Sequence, residues 1–182
     1  MAEEKVKKIL LHCCCAPCAC YPLQFVKLLN YQITAYFYNP NITDAAEYQK
    51  RLNEFVRYCD KYGFKYIIED YDNSEFNSAA KGLEDCPEKG ERCKKCFELR
   101  LTGTAQKAKE LGMDCFTTTI TISPHKDSAV VFEAAQSAAK ECGVEFAEFD
   151  FKKNNGFKVS REIVKFNNIY TQNYCGCEYS KR

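Results

Sequence analysis

An α/β fold, a parallel sheet with helices on both faces, follows from three observations. Short apolar runs alternate with longer stretches of helical periodicity along the chain. No repeat, low-complexity tract or Gly/Pro/Ser linker interrupts that alternation. The length, 182 residues, suits one domain with one sizeable core. The expectation is therefore a single Rossmann-like domain over residues 1–182.

The elements can be justified in order. Residues 8–11 read as a buried first strand, and 22–30 carry Leu23, Phe25, Val26, Leu28 and Leu29 at helical spacing. Residues 33–38, aromatic and β-branched, form the second strand. Asp44 with Glu47 three residues later marks a helix start, followed by Tyr48, Leu52, Phe55, Val56 and Cys59 until Gly63 stops it. Residues 66–69 are a third strand, 91–112 a helix, 115–121 a strand, 126–143 an alanine-rich helix and 145–149 a last strand.

Lys plus Arg (26) nearly balance Asp plus Glu (25), so a polyanionic partner must be met by a local basic surface. The opening residues hold only three consecutive aliphatics, Ile9 to Leu11, too few for a secretion signal or membrane span. A cytoplasmic protein that is monomeric or weakly associated is expected. In a reducing compartment the thirteen cysteines are thiols, and metal binding or redox catalysis explains them better than disulfides.

Seven of those cysteines form three groups: Cys14, Cys15 and Cys18 in CCAPC, Cys93 and Cys96 in RCKKC, and Cys175 and Cys177 in YCGC. In doubly wound sheets, sites lie outside the carboxyl ends of the strands, where CCAPC is expected. Cys93 and Cys96 fall in the opening turns of a long helix, on one face, where the helix dipole favours thiolate. Gly176 lets the backbone turn so that Cys175 and Cys177 face one centre, which folds the C-terminal tail over the site. Two CxxC pairs suit a zinc site, but four sulfurs close a tetrahedral site and seven are offered, which favours an iron–sulfur cluster with a second centre nearby. CAPC between a strand and a helix also has the look of a dithiol oxidoreductase, a reading that leaves the other groups unexplained. Cys59, Cys115 and Cys142 read as core hydrophobes, while Cys13, Cys20 and Cys86 fit no motif spacing.

LLHCCCAPCACY, FYNPNI with Tyr48 and Arg51 following, GERCKKCFELRL, FTTTITISPHK, DFKKNNGF and NYCGC stand in fixed order between residues 9 and 179. In these the chain resembles the cobalamin-independent epoxyqueuosine reductases, the QueH family. The resemblance implies an adenine nucleotide α-hydrolase type fold and reduction of the epoxide of epoxyqueuosine, at the tRNA wobble position, to queuosine. It implies a 4Fe-4S cluster on Cys14, Cys15, Cys93 and Cys96. Cys175 and Cys177 are implied as a catalytic, redox-active pair or, with Cys18, as ligands of a second iron or zinc ion. Relatives usually carry another residue where Cys13 stands, so Cys13 competes as a ligand.

No G-x-G-x-x-G follows the first strand, so a nicotinamide or flavin bound in the Rossmann manner is not indicated, and electrons must come from an external donor such as a ferredoxin or flavodoxin. Residues 151–174 hold Lys152, Lys153, Lys158, Arg161 and Lys165 against the one acid Glu162, interleaved with Phe157, Phe166, Tyr170 and Tyr174. That pattern offers phosphate contacts and stacking for a tRNA loop. Arg92 and Arg100 are further candidates for phosphate or for tuning the cluster's charge. Tyr38 and Asn39, at the end of the second strand, are expected to shape the nucleobase pocket. His12 reads as a structural residue and His125 as a strand-end loop residue; neither is assigned as a proton donor. The hydroxyl run from Thr117 to Ser123 is explained for most members by β-propensity.

Overall fold

The computed structural model describes residues 6–181. Five parallel strands, β1 (Lys8–Cys13), β2 (Gln32–Phe37), β3 (Lys65–Ile68), β4 (Cys115–Thr118) and β5 (Glu145–Phe146), lie in the order β3-β2-β1-β4-β5. β1 is central, with β2 on one side and β4 on the other. The chain therefore winds outward in opposite directions from β1, and the crevice between the carboxyl ends of β1 and β4 is the topological switch point.

Among the described residues six α-helices cover the sheet: α1 (Ala16–Leu28), α2 (Ala45–Tyr62), α3 (Ser74–Ala80), α4 (Glu91–Glu110), α5 (Ser128–Cys142) and α6 (Gly156–Phe166). The pleat of β1 sorts them into layers, because alternate side chains point to opposite faces. Ile9, Leu11 and Cys13 pack with Ala19, Leu23, Phe55, Cys59 and Val164 under α1, α2 and α6. Leu10 packs on the other face with Phe97, Leu101, Val131 and Ala135 of α4 and α5. Among the described residues no helix is long and apolar enough to cross a membrane.

Several boundaries differ from the sequence reading, each for a local reason. The first helix begins at Ala16, more than a turn before Pro22, because Pro17 sits where a helix tolerates a missing N–H. The strand expected over 115–121 gives way at Thr118, whose hydroxyl accepts the Ile120 N–H and starts a 3₁₀ turn, Thr119–Ile122. The last strand is two residues long and not five. Asp44 caps α2 by accepting the N–H groups of Ala46 and Glu47, but Glu47 does not complete a capping box. It turns inward to Arg51 and Tyr170. Helices α3 and α6 were not anticipated. α6 opens after Asn154 and Asn155, both at positive φ (52° and 62°), a conformation that asparagine tolerates better than most residues.

The C-terminal tail is tied down by Arg51, which is 2% exposed. Its Nε donates to Glu47 Oε1 at 2.7 Å, Nη1 to the Cys175 carbonyl at 2.9 Å and Nη2 to the Tyr174 carbonyl at 3.1 Å. The guanidinium also lies over the Tyr174 ring. Gly176 sits at φ +127°, and a Cβ there would stand 2.9 Å from Ile42 Cγ1 and 3.1 Å from Arg51 Nη1, so the tail's turn requires glycine.

Two stability predictions follow from these contacts. A Cβ at Gly156 would overlap the Phe151 carbonyl oxygen, which is backbone and cannot step aside. Gly156→Ala should cost about 2 to 3 kcal/mol and lower Tm by about 5 to 10 °C, read by calorimetry. Arg51→Met leaves the buried Glu47 carboxylate without its cation. Its cost should be about 3 to 5 kcal/mol, with early proteolytic cleavage beyond Ile169, whereas Arg51→Lys should fall between it and the wild type.

Candidate metal centre and its cavity

β1 ends at Cys13, and the next residues carry the first group of clustered cysteines. Cys13 itself is fully buried in the core, and its Sγ donates to the Leu11 carbonyl. It does not compete as a ligand: strand alternation points it to the face opposite Leu10 and His12. Cys14 is the first residue clear of the ladder, Cys15 is the N-cap of α1, and Cys18 lies in its first turn. Their three sulfurs lie within 4.8 Å of one another.

Cys93 and Cys96 stand in the first two turns of α4, which Gly90 caps. With Cys175 and Cys177 of the tail they line a small void of about 20 Å³, together with Phe97 and Lys126. Cys96 and Cys177 also belong to one apolar cluster with Phe76 and Ala80. Cys175 faces both this void and a larger cavity of about 340 Å³, whose wall includes Cys14, Cys18, Arg100, Lys126 and Arg161. The structure thus brings all three sequence groups to one place, with Cys175 as the hinge between two sulfur sets. All thirteen cysteines are free thiols, the Cys175 and Cys177 pair included.

Charge accumulates around these sulfurs in a definite pattern. Cys14 titrates well below an ordinary thiol because Cys15 and Cys18 donate toward its sulfur, with the Arg100 cation and the Thr119 hydroxyl adding to the effect. Cys15 and Cys18 are pushed up by the same contact with Cys14 and by burial. Burial pushes Cys96 up to about 12, only partly opposed by Arg100. Lys126 remains charged: burial opposes its charge, but the sulfurs of Cys175 and Cys93 overcome that. A metal replacing the thiol protons would find the counter-charges already present. The donor set is all soft sulfur, which suits iron–sulfur clusters and zinc and not hard cations.

Arg100 is the chief of these counter-charges. It is 3% exposed, its Nη2 donates to Asn39 Oδ1 at 2.8 Å, and its Nε has no hydrogen-bond partner. Asn39 is held in turn by its Nδ2 donating to the Cys13 carbonyl at 3.0 Å. A buried guanidinium with an unfilled donor beside the thiols of Cys14, Cys96 and Cys175 fits a bound anionic group.

Several residues expected at the substrate make internal contacts in this structure. Arg92 is 2% exposed, its Nη1 donates to the Leu83, Glu84 and Cys86 carbonyls, and it lies over the Tyr179 ring, so it clamps the loop before α4, while its side chain also lines the small void with Cys93 and Cys96. Asn39 is 3% exposed and serves Arg100, not a nucleobase. The Tyr38 ring stacks on Tyr36 and lies against Gly103 of α4, with its hydroxyl donating to Glu75. Lys152 donates to the Lys126 carbonyl and the Ser128 hydroxyl, and so holds the β4–α5 loop. Lys153 is exposed and Arg161 lines the cavity.

His12 is fully buried, hydrogen-bonded at Nδ1 to the Thr118 hydroxyl and at Nε2 to the Tyr38 carbonyl, as the structural reading expected. Burial lowers its pKa to about 3, assisted by the Arg100 cation. The sequence reading missed Lys126, Thr119 and Gln172. Lys126 was detectable in the SPHK segment at a strand end; a lone glutamine in the tail carries no such signal.

The chain matches the family model described as "Epoxyqueuosine reductase QueH" over residues 9–182. Epoxyqueuosine reductase QueH of Streptococcus pyogenes serotype M1 is 39% identical over 99% of this chain and 73% of that protein. The Staphylococcus epidermidis protein of the same name is 42% identical over 95% of this chain and 76% of its own length. Among solved structures, the U34-tRNA thiolase NcsA from Methanococcus maripaludis with its 4Fe-4S cluster superposes with a TM-score of 0.63 at 12% identity, covering 97% of this chain and 62% of that one. A predicted tRNA methyltransferase subunit from Methanocaldococcus jannaschii gives 0.58 at 11%, covering 88% and 75%. These two show the fold, that of adenine nucleotide α-hydrolase-like enzymes. Near-complete matching at this identity settles the family: the chain is an oxidoreductase that belongs to the epoxyqueuosine reductase QueH family.

Proposed function

We propose that this chain reduces the epoxide of epoxyqueuosine at the wobble position of tRNA to the alkene of queuosine. The reading assigns a 4Fe-4S cluster to Cys14, Cys15, Cys93 and Cys96, with Cys18, Cys175 and Cys177 as a second iron or zinc site or a redox-active pair. The observation that carries it is the convergence of cysteines from three distant segments beside a buried Arg100: Cys14, Cys18 and Cys175 line a 340 Å³ cavity, Cys15 lies with Cys14 and Cys18, and Cys93, Cys96 and Cys177 line the adjoining void that Cys175 shares. That a solved protein of the same fold, named as a U34-tRNA thiolase, holds a 4Fe-4S cluster supports it further.

Opening the epoxide to the alkene takes two electrons and two protons and releases water. When bound, a cluster at these cysteines supplies electrons singly. The protein's own residues do the rest. The cavity is of a size that takes a modified base, and Ile120 and Ile122 give it an apolar wall that excludes water. Phe157, 41% exposed on its rim, offers a stacking face, with Tyr174, Arg161 and His125 beside it. Exposed Lys153, Lys158 and Lys165, on or next to α6, are placed for phosphates of the flanking loop. Electrons reach the site from an external ferredoxin or flavodoxin, in a reducing, cytoplasmic setting that keeps the ligands as thiols.

The test is the anaerobic absorption spectrum with iron, sulfide and zinc content, on the wild type and Cys96→Ala. About four irons and four sulfides per chain, with further iron for a second centre, are expected, and broad absorption that bleaches on reduction. Both should be lost in Cys96→Ala, together with alkene formation in tRNA. Stoichiometric zinc without sulfide would overturn the reductase chemistry in favour of a zinc-stabilised nucleic-acid-binding domain.

A further inference from the structure

Among the described residues, two side chains outside every cysteine motif donate hydrogen bonds to cysteine sulfur in this site, besides the exposed backbone N–H of Lys89, which donates to Cys93 Sγ at 3.3 Å. Gln172 Nε2 donates to Cys15 Sγ at 2.9 Å, and the Thr119 hydroxyl donates to Cys14 Sγ at 3.6 Å. Neither is a casual surface contact. Thr119 is fully buried, and its oxygen also accepts the Cys14 N–H at 3.3 Å, so the lone pair faces the nitrogen and the proton is left for the sulfur. Cys15 is fully buried as well.

Gln172 is placed at a cost. Its Oε1 is buried and makes no hydrogen bond, so the amide satisfies the sulfur at the expense of its own carbonyl. An apolar side chain of the same length would fill that space without the unsatisfied oxygen. The retained amide is therefore explained by what its N–H does at Cys15. The Thr119 hydroxyl follows the same logic: it stands in the hydroxyl run after β4, yet it points to a sulfur and not to the cavity's occupant.

A proton donor on a ligand sulfur withdraws negative charge from the centre that the sulfur holds and favours its reduced form. We propose that Gln172 and Thr119 are positioning residues that raise the reduction potential of the metal centre bound through Cys15 and Cys14. This inference rests on the cluster reading above. Its chemical sense is that an electron arriving at buried thiolates adds to charge already balanced by cations such as Arg100 and Lys126, and the two donors ease its acceptance. The donors come from opposite sides: Thr119 from the turn after β4, Gln172 from the tail that Arg51 fastens. Tail closure and the potential are linked through Gln172.

The experiment is a spectroelectrochemical titration of the full chain, reconstituted with iron and sulfide under anaerobic conditions. Gln172→Met and Thr119→Val remove one donor each at nearly constant volume; Thr119→Ser keeps the hydroxyl. The expected result is a midpoint displaced to more negative potential in each of the first two, further in the double variant, and close to wild type in Thr119→Ser, with iron and sulfide content unchanged. Should Gln172→Met fail to fold, Gln172→Glu keeps the shape and must move the midpoint still further negative. Full iron loading with midpoints equal to wild type overturns the proposal and leaves the cluster reading intact. Equal displacement in Thr119→Val and Thr119→Ser also overturns it, since the hydroxyl would then be irrelevant. A wild-type chain that takes up no iron and sulfide overturns both.

Discussion

A guanidinium that has left water loses several kcal/mol of hydration unless charge and acceptors surround it, and Arg100 is in that position at 3% exposure. Only one of its donors is answered by an oxygen, that of Asn39. The remaining compensation comes from the sulfurs of Cys96, Cys14 and Cys175, which raise its pKa although burial alone would lower it. The dependence is mutual. Burial pushes the Cys96 thiol, near the start of α4, up to about 12, and the cation one turn further along the same helix is what opposes that rise. The Asn39 side chain, pinned to the carbonyl of Cys13, fixes where the cation stands relative to the end of β1, and so relative to Cys14.

The sheet order makes that encounter possible. β1 lies between β2 and β4, so Asn39 after β2, Cys14 after β1 and Thr119 after β4 emerge side by side at one edge. α4 then crosses this edge with Cys93, Cys96 and Arg100 spaced about one helical turn apart, which puts all three on the surface facing the strand ends. Parallel strands without this reversal at β1 would cover the edge and leave no crevice.

Much of this was legible in the residues. The three cysteine groups carry their own short-range spacing, and the strand periods that locate them are strong because parallel strands are buried on both faces. Helices α2, α4 and α5 were legible from their caps and apolar spacing, and Gly63 and Gly143 end α2 and α5 at φ 69° and 70° as the stop signals suggest. Side-chain allegiance was not. Arg92 and Arg100 look alike in sequence, and both border the cysteines, yet Nη1 of the first is held by three loop carbonyls while Nη2 of the second is held by Asn39 beside Cys14, a difference fixed by which segment packs on each. Lys152 and Lys153 are adjacent, and only the fold shows that the first is spent on the Lys126 carbonyl. The tripled cysteine was resolved by pleat alone. Cys13 is the last residue in the ladder and points into the core under α1, so the group of clustered sulfurs begins at Cys14.

The tail illustrates how rigidity and reactivity are divided within a few residues. Arg51 grips the carbonyls of Tyr174 and Cys175, and Gly176 supplies a turn that no side chain could occupy. These contacts are with backbone, and they leave the Cys175 side chain free to face both the small sulfur-lined void and the large cavity. On the function proposed above, Cys175 would meet a metal on one side and a substrate on the other, which needs a fixed main chain and an accessible sulfur. A disulfide or a sulfur-directed clamp would have taken the second to secure the first. Anchoring through Arg51 provides both, and Glu47, buried beneath it, keeps the anchor's charge out of competition with Arg100 for the thiolates.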